Sequence, residues 1–107
     1  MSEEKPQKVE FDVIAARVYQ RVGAPSDVRL CVGRPELDPV PGRDWRCRMV
    51  IDGLDQPIDR WAYGIDAVQA LALAFELARI YLQPDPDRSA SVTWLEQSDL
   101  GLPRVLG

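Results

Sequence analysis

Residues 58–82 read IDRWAYGIDAVQALALAFELARIYL, and the change of period inside this stretch decides the fold. Ile58 to Tyr63 forms a short strand-like run, bounded upstream by the turn chemistry of Asp52-Gly53 and Pro57. Beyond Gly64 the period lengthens. Asp66, with Gln69 three residues later, has the form of a capping box, and Ile65 is placed to act as its hydrophobic staple. Helix-favouring Ala, Leu, Glu and Gln fill Ala67 to Leu82, and Pro84 forbids continuation. Val68, Leu71, Phe75, Ala78 and Leu82 recur at three- and four-residue intervals and mark the expected core stripe.

Upstream, the pattern is one of strands. From Phe11 to Val22 the residues alternate, with Ile14, Ala16, Val18 and Val22 expected inward and Ala15, Arg17, Tyr19 and Arg21 outward. A turn at Gly23–Asp27 leads to a second strand from Val28 to about Val32, with Val28, Leu30 and Val32 inward. Residues 33–44, GRPELDPVPGRD, carry three prolines and two glycines and read as a long loop without strand or helix. Trp45, Cys47, Met49 and Ile51 then alternate against Arg46, Arg48 and Val50. Short connections imply an antiparallel arrangement. The expected fold is α+β: a four-stranded antiparallel meander, one long helix in the C-terminal half packed on one face, and a C-terminal tail folded back. That tail holds Trp94, Leu95, Leu100 and Leu102, with a short strand expected near Val92–Leu95. Residues 1–9 read as a flexible lead-in and 10–107 as a single domain, the size one core serves.

Composition excludes several function classes. The chain of 107 residues carries a net charge of −4, which disfavours non-specific attraction to nucleic acid or an anionic membrane. The charged start, MSEEKPQKVE, shows no signal peptide, and the apolar run from Ala67 to Leu82 is too short and too polar to span a bilayer. A cytoplasmic location is expected. There is no histidine, which removes the commonest general base and zinc ligand. Cys31 and Cys47 fall on opposite strand faces, so neither a disulfide nor a shared metal site is expected. No serine lies in a Gly-x-Ser-x-Gly elbow, and the pairs Asp52/Asp55 and Asp85/Asp87 sit in turns, where Asp bonds its own backbone. No enzyme, cofactor or metal assignment follows.

Two surfaces remain. One helix covers one face of a sheet, and the parities above put Arg17, Tyr19, Arg21, Arg29, Arg46 and Arg48 on the other. Arg60 joins them on the preferred parity of the fourth strand. Guanidinium forks bind carboxylates bidentately, so this face is either a docking surface for an acidic protein partner or, as exposed charge runs more often are, a solvated face whose arginines pair with Glu10, Asp12, Asp59 and their neighbours. The helix carries a wide apolar arc with Leu73 and Ile80 on its outer side, expected to be covered by the chain's own tail through Trp94, Leu95, Leu100 and Leu102, or by a second subunit in a homodimer contact.

The ordered segments GRPELDP (33–39), DWRC (44–47), GLD (53–55), YGIDAVQALALA (63–74) and WLEQSDLGLP (94–103) resemble a family of small bacterial proteins grouped as a domain of unknown function. The resemblance covers roughly residues 11–103, with the Tyr-Gly-x-Asp-Ala helix start its most distinctive part. It implies one domain and a bacterial origin and brings no activity. The preferred function is a non-enzymatic protein-binding domain, in one form a toxin-neutralising immunity-type protein, acting through the arginine face or the 33–44 loop. Its partner-binding residues are Arg17, Tyr19, Arg29, Arg34, Trp45, Arg46 and Arg48. Alternatives are a small-ligand or enzymatic domain with a pocket between helix and sheet near Trp61 and Tyr63, and a self-associating accessory domain.

Overall fold

A computed structural model of the chain describes residues 11–23, 27–83 and 101–102, and the backbone of 92–93. The elements in chain order are β1 (Val13–Arg21), β2 (Val28–Gly33), β3 (Glu36–Leu37), β4 (Trp45–Asp52), β5 (Ile58–Gly64), α1 (Ala67–Leu82) and β6 (Val92–Thr93). Every strand pairing is antiparallel. β5 pairs along nearly the whole of β4, so β2 and β3 must share the opposite edge of β4, against its C-terminal and N-terminal halves. The sheet therefore runs β5-β4-β2-β1-β6, a meander with α1 on one face. β3 lies inside the stretch expected to be pure loop: Glu36 and Leu37 pair with Arg46 and Trp45 between the prolines, which leave both residues free to extend.

β2 and β4 present the expected residues to the helix. Val28, Leu30, Val32, Cys47, Met49 and Ile51 are buried there. β1 does the reverse. Its register sets Ala15, Arg17 and Tyr19 opposite Val32, Leu30 and Val28, so these three face the helix side. Tyr19 is fully buried, whereas Ile14, Val18 and Val22 are exposed. Both parities of β1 hold apolar residues, so alternation alone does not choose between them. The large Tyr19 ring does, because it removes the most apolar surface from water. Arg17 hydrogen bonds its phenol. Arg21, on the same side, is admitted because its guanidinium donates to the Gly53 carbonyl at 3.1 Å and pairs with Asp55 at 2.5 Å.

α1 begins as the capping box requires, with one difference. Asp66 Oδ1 accepts from the Gln69 amide at 2.8 Å, and Gln69 Oε1 accepts from the amide of Ile65 rather than of Asp66, at 2.7 Å. The staple does not form: Ile65 is 71% exposed. Its intended partner in the first turn, Ala70, is closed off by Gly64, where a Cβ would stand 2.5 Å from the Ala70 nitrogen. The buried seam of α1 is Ala70, Ala74, Ala78 and Leu82. It is rotated by about 60° from the expected stripe, at 100° per residue. Val68 is consequently 76% exposed. Alanines let the helix axis approach the sheet, and Leu71, Phe75, Leu77 and Tyr81 pack down its flanks. Leu73 also packs against the core, while Ile80 is half exposed.

α1 lies mainly over β4 and β5. On the β1–β2 half of that face, Leu102 packs against the core and Arg17 Nη1 donates to the Gly101 carbonyl at 3.0 Å. The tail folds back at these two residues. Trp94, Leu95 and Leu100 lie outside the described residues, as does the 1–9 lead-in.

Cys31 and Cys47 are both free and buried, on opposite sides of the sheet. Cys47 Sγ donates to the Gly33 carbonyl at 3.2 Å, and burial pushes its thiol up to about 11. In the unfolded chain this thiol loses its proton near pH 9, so the native state binds the extra proton between the two values. Its contribution is complete below about pH 9 and falls as pH rises through about 11. The expected loss is about 2–3 kcal/mol. Urea melts at pH 8 to 11 check it: a Cys47→Ala variant should show a shallower decline, and parallel curves would refute the assignment.

Candidate functional site

The uncovered sheet face carries Arg29, Arg46 and Arg48, as expected, but Arg46 and Arg48 each have an acid of their own. Arg46 pairs with Glu36 at 2.6 Å, and Arg48 grips both oxygens of Asp59 at 3.0 and 2.6 Å. Arg29 stands opposite Asp52 in the β2–β4 register. The Arg46 guanidinium also lies 3.9 Å from the Trp61 ring centre, and Arg48 lies 4.8 Å from that of Phe11. Arg48 holds the Asp59 carboxyl below its usual range, chiefly by hydrogen bonding. The Arg46 and Arg48 guanidiniums are thus stacked and paired within the sheet, which weakens their attraction for an acidic partner, while Arg29 is exposed.

The other expected site residues do not assemble with them. Arg17 and Tyr19 are on the helix side of the sheet, because of the β1 register. Arg60 is there too: it sits opposite Met49 and donates to the Tyr81 hydroxyl at 3.1 Å. Trp45 packs against the core. Arg34 pairs with Asp12 at 2.7 Å and, with Phe11, Arg48 and Trp61, lines a cleft of about 140 Å³. Trp61 and Tyr63 lie opposite Arg48 and Arg46, away from the helix–sheet interior where the expected ligand pocket would be.

A different site is built where the 38–44 loop meets the β5–α1 joint. Arg43, Asp44, Tyr63, Gly64, Ile65 and Gln69 line an open groove of about 640 Å³. Two sequence-distant segments form its two walls, and each is held by its own hydrogen bonds. On the loop side, the buried Asp38 carboxylate accepts from the Val40 amide at 2.9 Å. The Asp38 amide donates to the Asp44 carbonyl at 2.9 Å, and Arg43 Nη1 lies 3.6 Å from Asp38 Oδ2. On the helix side, the Asp66–Gln69 cap and the Gly64–Ala70 contact fix the turn. Tyr63 and Ile65 thus present exposed apolar surface from a rigid frame, with Val68 exposed in the adjoining first turn.

The family described as "Domain of unknown function (DUF6968)" matches residues 15–104. The chain belongs to the DUF6968 family. Both walls of the groove fall inside the matched span. No curated protein and no solved structure matches the chain.

In this DUF6968 member the sequence reading treats the 33–44 loop as a candidate binding element and the Tyr-Gly-x-Asp-Ala segment as a helix start, without joining the two. It missed Arg43, Asp44, Tyr63, Ile65 and Val68 as neighbours. The available signal was Ile65, a large apolar residue at a joint whose staple partner is only an alanine. Among the described residues no three His, Cys, Asp or Glu side chains converge on a metal-sized site, and no helix is long and apolar enough to cross a membrane.

Proposed function

We propose that this DUF6968 chain is a bacterial, cytoplasmic, non-enzymatic protein-binding domain whose docking site is the groove between the 38–44 loop and the β5–α1 joint. The observation that carries this reading is the exposure of Tyr63 and Ile65 on a groove framed by hydrogen-bonded backbone. Anchors carried on backbone that is fixed before binding lose less freedom on association, which favours an interaction hot spot. The groove lining offers no nucleophile beside a base, and the free thiols fit a reducing compartment. The immunity-type form of the reading rests on size and acidity alone.

A photo-crosslinking residue at position 65 should capture a protein of defined mass in native cytoplasm, while the same residue at position 48 should not. Capture from position 48 alone, or from neither, would reject the groove. A second reading has its own observation: a cavity of about 210 Å³ on the helix side, lined by Ala15, Arg17, Leu30, Val32, Phe75 and Leu102, sized for a small apolar ligand. Filling it with Ala15→Leu should leave the position-65 crosslink intact. Loss of the crosslink in a folded variant would favour the cavity.

A further inference from the structure

We propose that the groove receives a partner segment with a large apolar anchor flanked by lysine or arginine. This rests on the groove reading above and adds the chemistry of the occupant. The Tyr63 ring and the Ile65 side chain offer the anchor its apolar walls. The two charges in the lining, Arg43 and Asp44, are not equivalent. Arg43 is the ion partner of Asp38 Oδ2, a buried atom with no hydrogen bond among the described residues. Drawing Arg43 toward a ligand would leave Oδ2 buried with only the Val40 amide, on Oδ1, to offset the charge, which is costly. Asp44 is exposed, and its side chain has no partner among the described residues.

Asp66 adds a second carboxylate at the same joint. It caps α1 through Oδ1 and opposes the partial positive charge of the helix start. The charge left for an incoming group is therefore negative, and the chain's net −4 steers cations the same way. An acidic segment would meet Asp44 and find Arg43 engaged. A second copy of this chain would bring its own Asp44 and the same net charge.

The test is selection of random displayed peptides on the intact protein, followed by affinity measurement of the recovered sequences. Wild type, Ile65→Asp and Asp44→Lys are compared at low and physiological salt, with melting curves confirming that all three fold. Recovered peptides should carry an aromatic or leucine anchor beside Lys or Arg. Ile65→Asp should weaken them more than about 30-fold, as for a lost hot spot. Asp44→Lys should weaken them about five- to tenfold and flatten the salt dependence. Peptides without basic residues, or unaffected by Asp44→Lys, would overturn the basic-partner inference while loss in Ile65→Asp preserves the groove. Peptides that bind Ile65→Asp as well as wild type, or no recovered peptide at all, would overturn both.

Discussion

Replacing Gly64 with alanine is expected to lower stability by about 3 kcal/mol and the melting midpoint by roughly 15 °C. The added Cβ would stand 2.5 Å from the Ala70 nitrogen, 2.9 Å from the Gln69 carbonyl carbon and 3.0 Å from the Ala70 Cα. All three are backbone atoms of the first helical turn, so no side-chain rotation relieves the clash. The strand end and the helix start must separate. That movement also pulls apart the wall of the groove, because Tyr63, Ile65 and Gln69 flank the same joint. Gly42→Ala is the matched control. Its φ of +87° is strained for alanine, yet no atom lies within 4 Å of the added Cβ, so about 1 kcal/mol is expected. Thermal melts of the two variants decide the matter. A Gly64→Ala midpoint within a few degrees of wild type would mean the joint is looser than the geometry shows.

The second large effect belongs to β1. Tyr19→Ala should cost about 3–5 kcal/mol, as for other large aromatic deletions in cores, whereas Val18→Ala next to it should cost less than about 1 kcal/mol. Tyr19 is wholly buried against the cluster that includes Val28 and Leu82, and Val18 is half exposed on the opposite face. Urea denaturation of the pair tests the register directly. If Val18→Ala proves the more damaging, β1 has the opposite facing. Arg17 and Tyr19 would then return to the uncovered face with Arg29, Arg46 and Arg48.

Much of this protein was legible in its sequence, and the legible parts share a cause. The strands at β2, β4 and β5, the helix over Ala67–Leu82 and its Asp66–Gln69 cap depend on residues within a few positions of one another. Alternation in β2 and β4 was clear because one parity held Val28, Leu30, Val32, Met49 and Ile51 while the other held Arg29, Arg46 and Arg48 beside only Cys31 and Val50. The candidate site was less legible. Arg46 and Arg48 read either as a docking patch or as partners of nearby acids such as Asp59; the β4–β5 register brings Asp59 alongside Arg48, and Glu36 reaches Arg46 only through the unforeseen strand β3.

By itself, the sequence determined the α+β class, the antiparallel order of the strands, the limits of the helix and the absence of a histidine-based site. Period, caps and turn residues are local, and their free energies act whatever the distant chain does. The tertiary structure alone decided which face of β1 is buried, which side of α1 meets the sheet and that the 38–44 loop closes against Tyr63–Gln69. Those three outcomes turn on a strand register, a row of alanines and a missing Cβ at Gly64. Each is a matter of how closely distant backbones approach, a quantity that no window of neighbouring residues contains.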